Sequence, residues 1–190
     1  IAHLDGVVPP RAMRTPVDER TREELEVVAR TGTTPQLVEL LKSATLAVKE
    51  RAVETIIKRC DDDADQLHRV AIARAGAIPP LIEMVKFGTE SAKAKAALVL
   101  AWLARDSNDN RVVIARAGAI PPLVELVKFG TEDGKDDAAS ALSWLAGNDP
   151  DNVVAIARAG AISPLVELVK FGTEIGKPHA ASALANLAMN

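Results

Sequence analysis

Few residues in this chain have the chemistry to act on a ligand, and their spacing sorts them quickly. The single cysteine, Cys60, excludes an internal disulfide framework and a cysteine-based zinc site. No histidine or helix N-terminus lies near it in sequence to activate the thiol, so it reads as a small buried residue near a helix end. His3, His68 and His179 are scattered among unlike elements without metal-ligand spacing, and neither a metal nor a cofactor is expected. The acidic run Asp61, Asp62, Asp63, Asp65 is superficially like a calcium loop. Its sixth position is Gln66 where that loop needs Gly, and its twelfth is Ile72 where it needs Glu, so it reads as a solvated loop. Paired carboxylates such as Asp136 and Asp137 diverge on a helix and face no closed pocket. There is no phosphate-cradling glycine loop, nucleophile elbow or Cys/His pair. Catalysis is not supported. What remains is Trp102 and Trp144, 42 residues apart, which suit contact rather than reaction.

The elements that must position these tryptophans are set by composition and by an internal repeat. The chain has 190 residues, 48% hydrophobic, with 3% aromatic and no tyrosine, which favours helix over sheet. A net charge of −3 provides no basic field for nucleic acid or anionic membrane. The apolar runs fall far short of the roughly 20 residues that span a bilayer. No signal peptide is visible, and the first residue is Ile1, consistent with a natural start upstream. These absences and the single cysteine point to an intracellular, cytoplasmic setting, with the nucleus left open.

Three blocks repeat almost verbatim: VAIARAGAIPPLIEMVKFGTE from Val70, VVIARAGAIPPLVELVKFGTE from Val112 and VAIARAGAISPLVELVKFGTE from Val154. Their marker glycines, Gly76, Gly118 and Gly160, are 42 residues apart. A fainter copy, TGTTPQLVELLKS, carries Gly32, which precedes Gly76 by 44, as small insertions at the acidic run would give. Each unit parses into three helices. The first, such as Asn110 to Ala117, ends at a glycine suited to the left-handed position after a helix. The second opens at a proline pair: Ser163-Pro164 suggests an N-cap serine and an N1 proline, which by alignment puts Pro121 at the cap and Pro122 at N1. It runs to about Phe129, where Gly130 and Thr131 break it. The third continues from about Asp133 to Ala146. The second helix is apolar on nearly all sides (Leu123, Val124, Leu126, Val127), so stacked neighbours must cover it.

The phrase IARAGAIPPLVELVKFG followed by AASALSWLA resembles the armadillo repeat of importin-alpha, beta-catenin and vacuolar armadillo proteins. The period fits armadillo or HEAT arrays and excludes tetratricopeptide and ankyrin periods; HEAT repeats lack the short first helix ending in AGAIP. The resemblance covers Gly32 to Asn190 and implies an all-α, right-handed solenoid of about four three-helix repeats (about 16–62, 63–105, 107–147 and 149–190). Residues 1–14 read as an extended arm or linker, and 15–190 as the repeat domain. Thr15-Pro16-Val17-Asp18 opens a polar helix to about Arg30 that would cap the first repeat.

On the third helix of repeat three, Ala138, Ala141, Leu142 and Leu145 make the buried stripe. Trp144 lies on the other side with Asp133, Asp137 and Ser140. In repeat two, Ala96, Val99, Leu100 and Leu103 are core, while Ser91, Lys95, Leu98 and Trp102 share the opposite face. In the fourth repeat, His179, Ser182 and Asn186 hold the matching positions. Helices packed about 8–10 Å apart would set the two rings in a row. An extended ligand rising about 3.3 Å per residue would then meet each repeat with about three residues.

The resemblance implies that these third helices line a concave groove for an extended peptide or partner segment. In importin-alpha the groove helix carries Trp and, four residues on, Asn that grips ligand backbone. Here those places hold Leu98, Ser140 and Ser182, then Trp102, Trp144 and Asn186, so only Asn186 keeps the family residue. No basic importin-beta-binding segment is visible either. In the first repeat the apolar stripe Val53, Ile56, Ile57, Cys60 places Arg59 in the groove, whereas strict alignment places Lys58 there. Ala181, Ala188 and Met189 leave the last repeat without a polar cap, which suggests a longer array or an oligomer contact. The expected function is a non-catalytic protein-binding module; the alternative is a scaffold that self-associates or stacks through this uncapped end.

Overall fold

A computed structural model describes residues 27–43, 45–62, 66–147 and 149–189. The expected N-terminal arm, His3, most of the capping helix and Asp63 to Asp65 lie outside the described residues. Helix occupies 27–31, and then come Thr34–Ser43 and Leu46–Asp62 of the first repeat. The second repeat is Gln66–Arg74, Ile78–Phe87 and Glu90–Asp106; the third is Asn108–Arg116, Ile120–Phe129 and Glu132–Ala146. The fourth is Pro150–Arg158, Ile162–Phe171 and Gly176–Ala188. The described residues form an all-α solenoid in which the third helices pack on one another from repeat to repeat.

The marker glycine has the conformation that its place after a helix demands. Gly118 has φ +82°, where an L side chain would clash with its own backbone. Two hydrogen bonds close the turn: Ala119 N–H donates to Ile114 O at 3.3 Å and Gly118 N–H to Ala115 O at 2.9 Å. That pairing satisfies the last carbonyls of the first helix, and the flanking Ile114 and Ala119 are both buried. Gly76 and Gly160 make the same turn.

The second helix starts earlier than its prolines suggest. It begins at Ile120, with Ala119 at the N-cap and no capping side chain, so Pro121 and Pro122 lie inside the first turn. Ser163 likewise does not cap; the helix of the fourth repeat starts at Ile162. The left-handed glycine already turns the chain, so the helix can start at once. Proline costs nothing in a first turn whose N–H groups have no helical partner. The other end agrees with expectation, since the helix stops at Phe129. Gly130 is extended rather than left-handed, and its smallness is what counts: a Cβ there would lie 2.5 Å from Leu126 O. Thr131 then caps the third helix by accepting from Gly134 N–H at 3.3 Å.

Stacking buries what the helices cannot cover alone. Leu123, Val124, Leu126 and Val127 are all buried, as are Ala138, Ala141, Leu142 and Leu145 of the third helix. In the first repeat Val53, Ile56 and Cys60 are buried and Ile57 half-buried. Its third helix and that of repeat two have the same length of 17 residues. The two extra residues therefore fall between Asp62 and Gln66, at the acidic run. No single helix among the described residues is long and apolar enough to cross a membrane.

Candidate functional site

The third helices bring the expected residues together in three rows. Lys95, Asp137 and His179 form one, Leu98, Ser140 and Ser182 the next, and Trp102, Trp144 and Asn186 the third; each row takes one residue from each successive helix. Trp144 is 36% exposed, whereas Trp102 is half-buried and packed against the core. Leu98 and His179 are half-buried and Ser182 is exposed. Ser140 is 8% exposed and forms floor rather than open surface. In repeat one the helix bounds align Lys58 with Trp102 and Arg59 with Leu103. Lys58 is accordingly exposed and Arg59 half-buried, so strict alignment sets the register, and Lys58 takes the place expected for Arg59.

Each tryptophan is held by an arginine from the first helix of its own repeat. The Arg69 guanidinium lies 5.8 Å from the Trp102 ring centroid and that of Arg111 5.9 Å from Trp144, both within cation–π range. Arg111 has a second task. Its Nε donates to Ala104 O at 2.7 Å, its Nη2 to Arg105 O at 3.2 Å and its Nη1 to Gly147 O at 3.2 Å. One guanidinium thus caps the third helix of the preceding repeat while fixing a ring of its own. Arg69 and Arg111 are spaced by the same 42 residues as the tryptophans. That interval was the available signal for a pairing that sequence reasoning missed.

The fourth repeat lacks this pair, having Val153 where Arg111 stands and Asn186 where Trp144 stands. Asn186 Nδ2 donates to Ser143 O at 3.1 Å, so this amide is engaged with the chain's own backbone. Ser143 Oγ and Ser182 Oγ are hydrogen-bonded at 2.8 Å across the same interface.

The charged row changes character along its length. Lys95 Nζ is 2.6 Å from Glu54 Oε1, tying the third helices of repeats one and two. The hydrogen bond from Lys95 holds the Glu54 carboxyl below its ordinary range. Asp137, one repeat on, has no such partner: burial first, then the charges of Asp133 and Asp136, push its carboxyl up to about 7. Asp136 instead accepts from the Thr173 hydroxyl of the following repeat, as Glu50 does from Thr89. Among the described residues no group of three or more His, Cys, Asp or Glu is placed to hold a metal ion.

Comparison with known proteins meets this geometry at the level of the repeat. Residues 107–146 match the armadillo/beta-catenin-like repeat. The repeat is of armadillo type. The whole array superposes on a designed armadillo repeat protein with a TM-score of 0.75 at 25% identity, over 95% of this chain and 79% of that one. It superposes equally on a computationally designed armadillo repeat protein described as made for modular peptide recognition, with a TM-score of 0.76 at 25% identity, covering 92% and 77%. A further engineered protein, at 24% identity and a TM-score of 0.73 over 94% of this chain and 77% of that one, shares the fold. No curated protein matches the chain. The armadillo repeat fold is typically a non-catalytic binding scaffold.

Proposed function

We propose that this armadillo solenoid is a non-catalytic protein-interaction module that takes an extended peptide or partner segment along the face of its third helices. The observation that carries this reading is the pair Trp102 and Trp144 in one register, each clamped by an arginine of its own repeat. A clamped ring offers apolar area with little rotamer entropy left to lose, which is what makes aromatic anchors dominate interfaces. The likeness to a scaffold made for modular peptide recognition supports the same reading. Lys95, Asp137 and His179 would then line one edge of the ligand's path, Lys95 already paired with Glu54. The nuclear-signal rule of importin-alpha does not transfer, since the positions that read it hold other residues. An intracellular, cytoplasmic setting is proposed with it, on the single cysteine.

The test is selection of binders from a random twelve-residue peptide library, followed by titration of a selected peptide against Trp144→Ala. Loss of binding with the helical signal and melting temperature kept supports the groove; unchanged affinity refutes it.

A further inference from the structure

The cleft between repeats three and four differs in charge from its counterpart one repeat earlier. Phe129 and Phe171, each 78% exposed, bound a cleft of about 570 Å³, as Phe87 and Phe129 bound one of about 440 Å³. Both clefts have a ring at each side, a proline in the wall and lysines and glutamates at matching positions. In the smaller cleft the charges cancel locally. Lys93 is 2.7 Å from Glu90, while Lys86 and Glu125 are paired with Glu83 and Lys128.

In the larger cleft they do not cancel. Lys128 is already taken by Glu125, and Glu132, Glu167 and Lys135 make no ion pair among the described residues. A third carboxylate, Asp136, lines this cleft where repeat two has Ala94. Asp136 is 6% exposed; its Oδ2 accepts from the Thr173 hydroxyl, and its Oδ1 has no hydrogen-bond partner. A carboxylate enclosed in the wall acts through protein rather than through water, so its field reaches the cleft with little screening. Three carboxylates thus face one free ammonium, Lys135, between two exposed rings.

We propose that the Phe129–Phe171 cleft is a second docking site, for an arginine side chain presented by a partner protein. The surplus of carboxylates selects a cation. The rings and the carboxylates together select its kind. A guanidinium is planar, weakly hydrated and carries five N–H donors, so it can stack on a phenyl ring while donating to Glu132 or Glu167. A lysine ammonium is compact and strongly hydrated, and gives up more water to reach the same rings. A quaternary ammonium has no N–H to offer the glutamates. Both rings stand largely in solvent, so the cleft receives a side chain and does not enclose a free metabolite. No residue of the tryptophan face lines it, which makes this site independent of the groove proposed above.

The probe is a blocked Gly-Arg-Gly peptide titrated into the isotope-labelled chain and followed by NMR. The same peptide with citrulline, which keeps the shape and loses the charge, and the same peptide with lysine are the controls. The amides of Gly172 and Thr173 should shift saturably at millimolar arginine peptide, while those of Val85 and Phe87 at the smaller cleft stay in place. Glu132→Gln combined with Glu167→Gln should weaken binding about threefold or more. Phe171→Leu keeps apolar bulk without the ring and should weaken it as well. These three side chains are exposed, so the variants should keep the wild-type helical signal and melting temperature. Trp144→Ala should leave the titration unchanged, which separates failure of this site from failure of the tryptophan groove. Absent shifts, an equal response to the citrulline or lysine peptide, or equal shifts at the smaller cleft each overturn the proposal. So does full binding by the double glutamine variant.

Discussion

Asp137 gives the sharpest stability prediction, because its environment works against its charge. Its carboxyl is moved from an ordinary 3.8 to about 7 by burial and by Asp133 and Asp136 on the same helix. The folded state therefore holds a proton that the unfolded chain has released over the pH interval between those values. Stability from this group is fullest below about pH 4, falls as pH rises through the interval, and is flat above about 7. At 1.36 kcal/mol per pH unit, the full gap corresponds to a ceiling of about 4 kcal/mol. The side chain is not fully enclosed, and an ionised carboxylate can turn toward water, so about 1–2 kcal/mol is the expected effect. Asp137→Asn keeps the shape and removes the ionisation. It should match wild type near pH 4 and exceed it at pH 8, by about 3–6 °C in melting temperature for a chain of this size. Thermal and urea unfolding followed by helical circular dichroism at pH 4, 6 and 8 measures this. Carboxylates remote from Asp137 titrate in both proteins and cancel in the difference. A difference that does not change with pH would sink the reasoning. So would a variant less stable than wild type at pH 8, because Asp137 would then be ionised and paired.

Three further substitutions probe the framework. Gly118→Ala has free space around the new methyl group, so its cost is backbone strain alone, about 1–2 kcal/mol by equilibrium unfolding; a neutral result would mean that the turn relaxes. Leu142→Ala empties a fully buried position in the core stripe of the third helix and should cost about 2–5 kcal/mol by equilibrium unfolding. Arg111→Met keeps much of the side chain's bulk but removes three bonds to carbonyls and the cation over Trp144. It should lower stability by about 1–3 kcal/mol and shift Trp144 fluorescence; an unchanged spectrum would argue against the clamp.

Local rules carried much of this protein in its one-dimensional sequence. The 42-residue period, the left-handed glycine after the first helix in repeats two to four and the Gly-Thr break before the third helix of the same repeats depend only on a few adjacent residues, whereas Gly32 of the first repeat is not left-handed. The helical stripe Ala138, Ala141, Leu142, Leu145 is equally local, and its burial follows from 3.6-residue periodicity and the need to cover it. The cap of the second helix was misplaced even at this level, because a serine before a proline is a strong local signal. The preceding glycine turn had already set where the helix could begin.

What tertiary structure alone decided is which side chains reach solvent. Phe129 closes an apolar run and reads like Val127 before it, yet one is exposed and the other buried, because the next repeat packs over one side of the helix and not its end. The arginine clamps on Trp102 and Trp144 join elements more than thirty residues apart. Periodicity within a helix says which way a residue points; only the neighbouring repeat determines whether anything stands there to meet it.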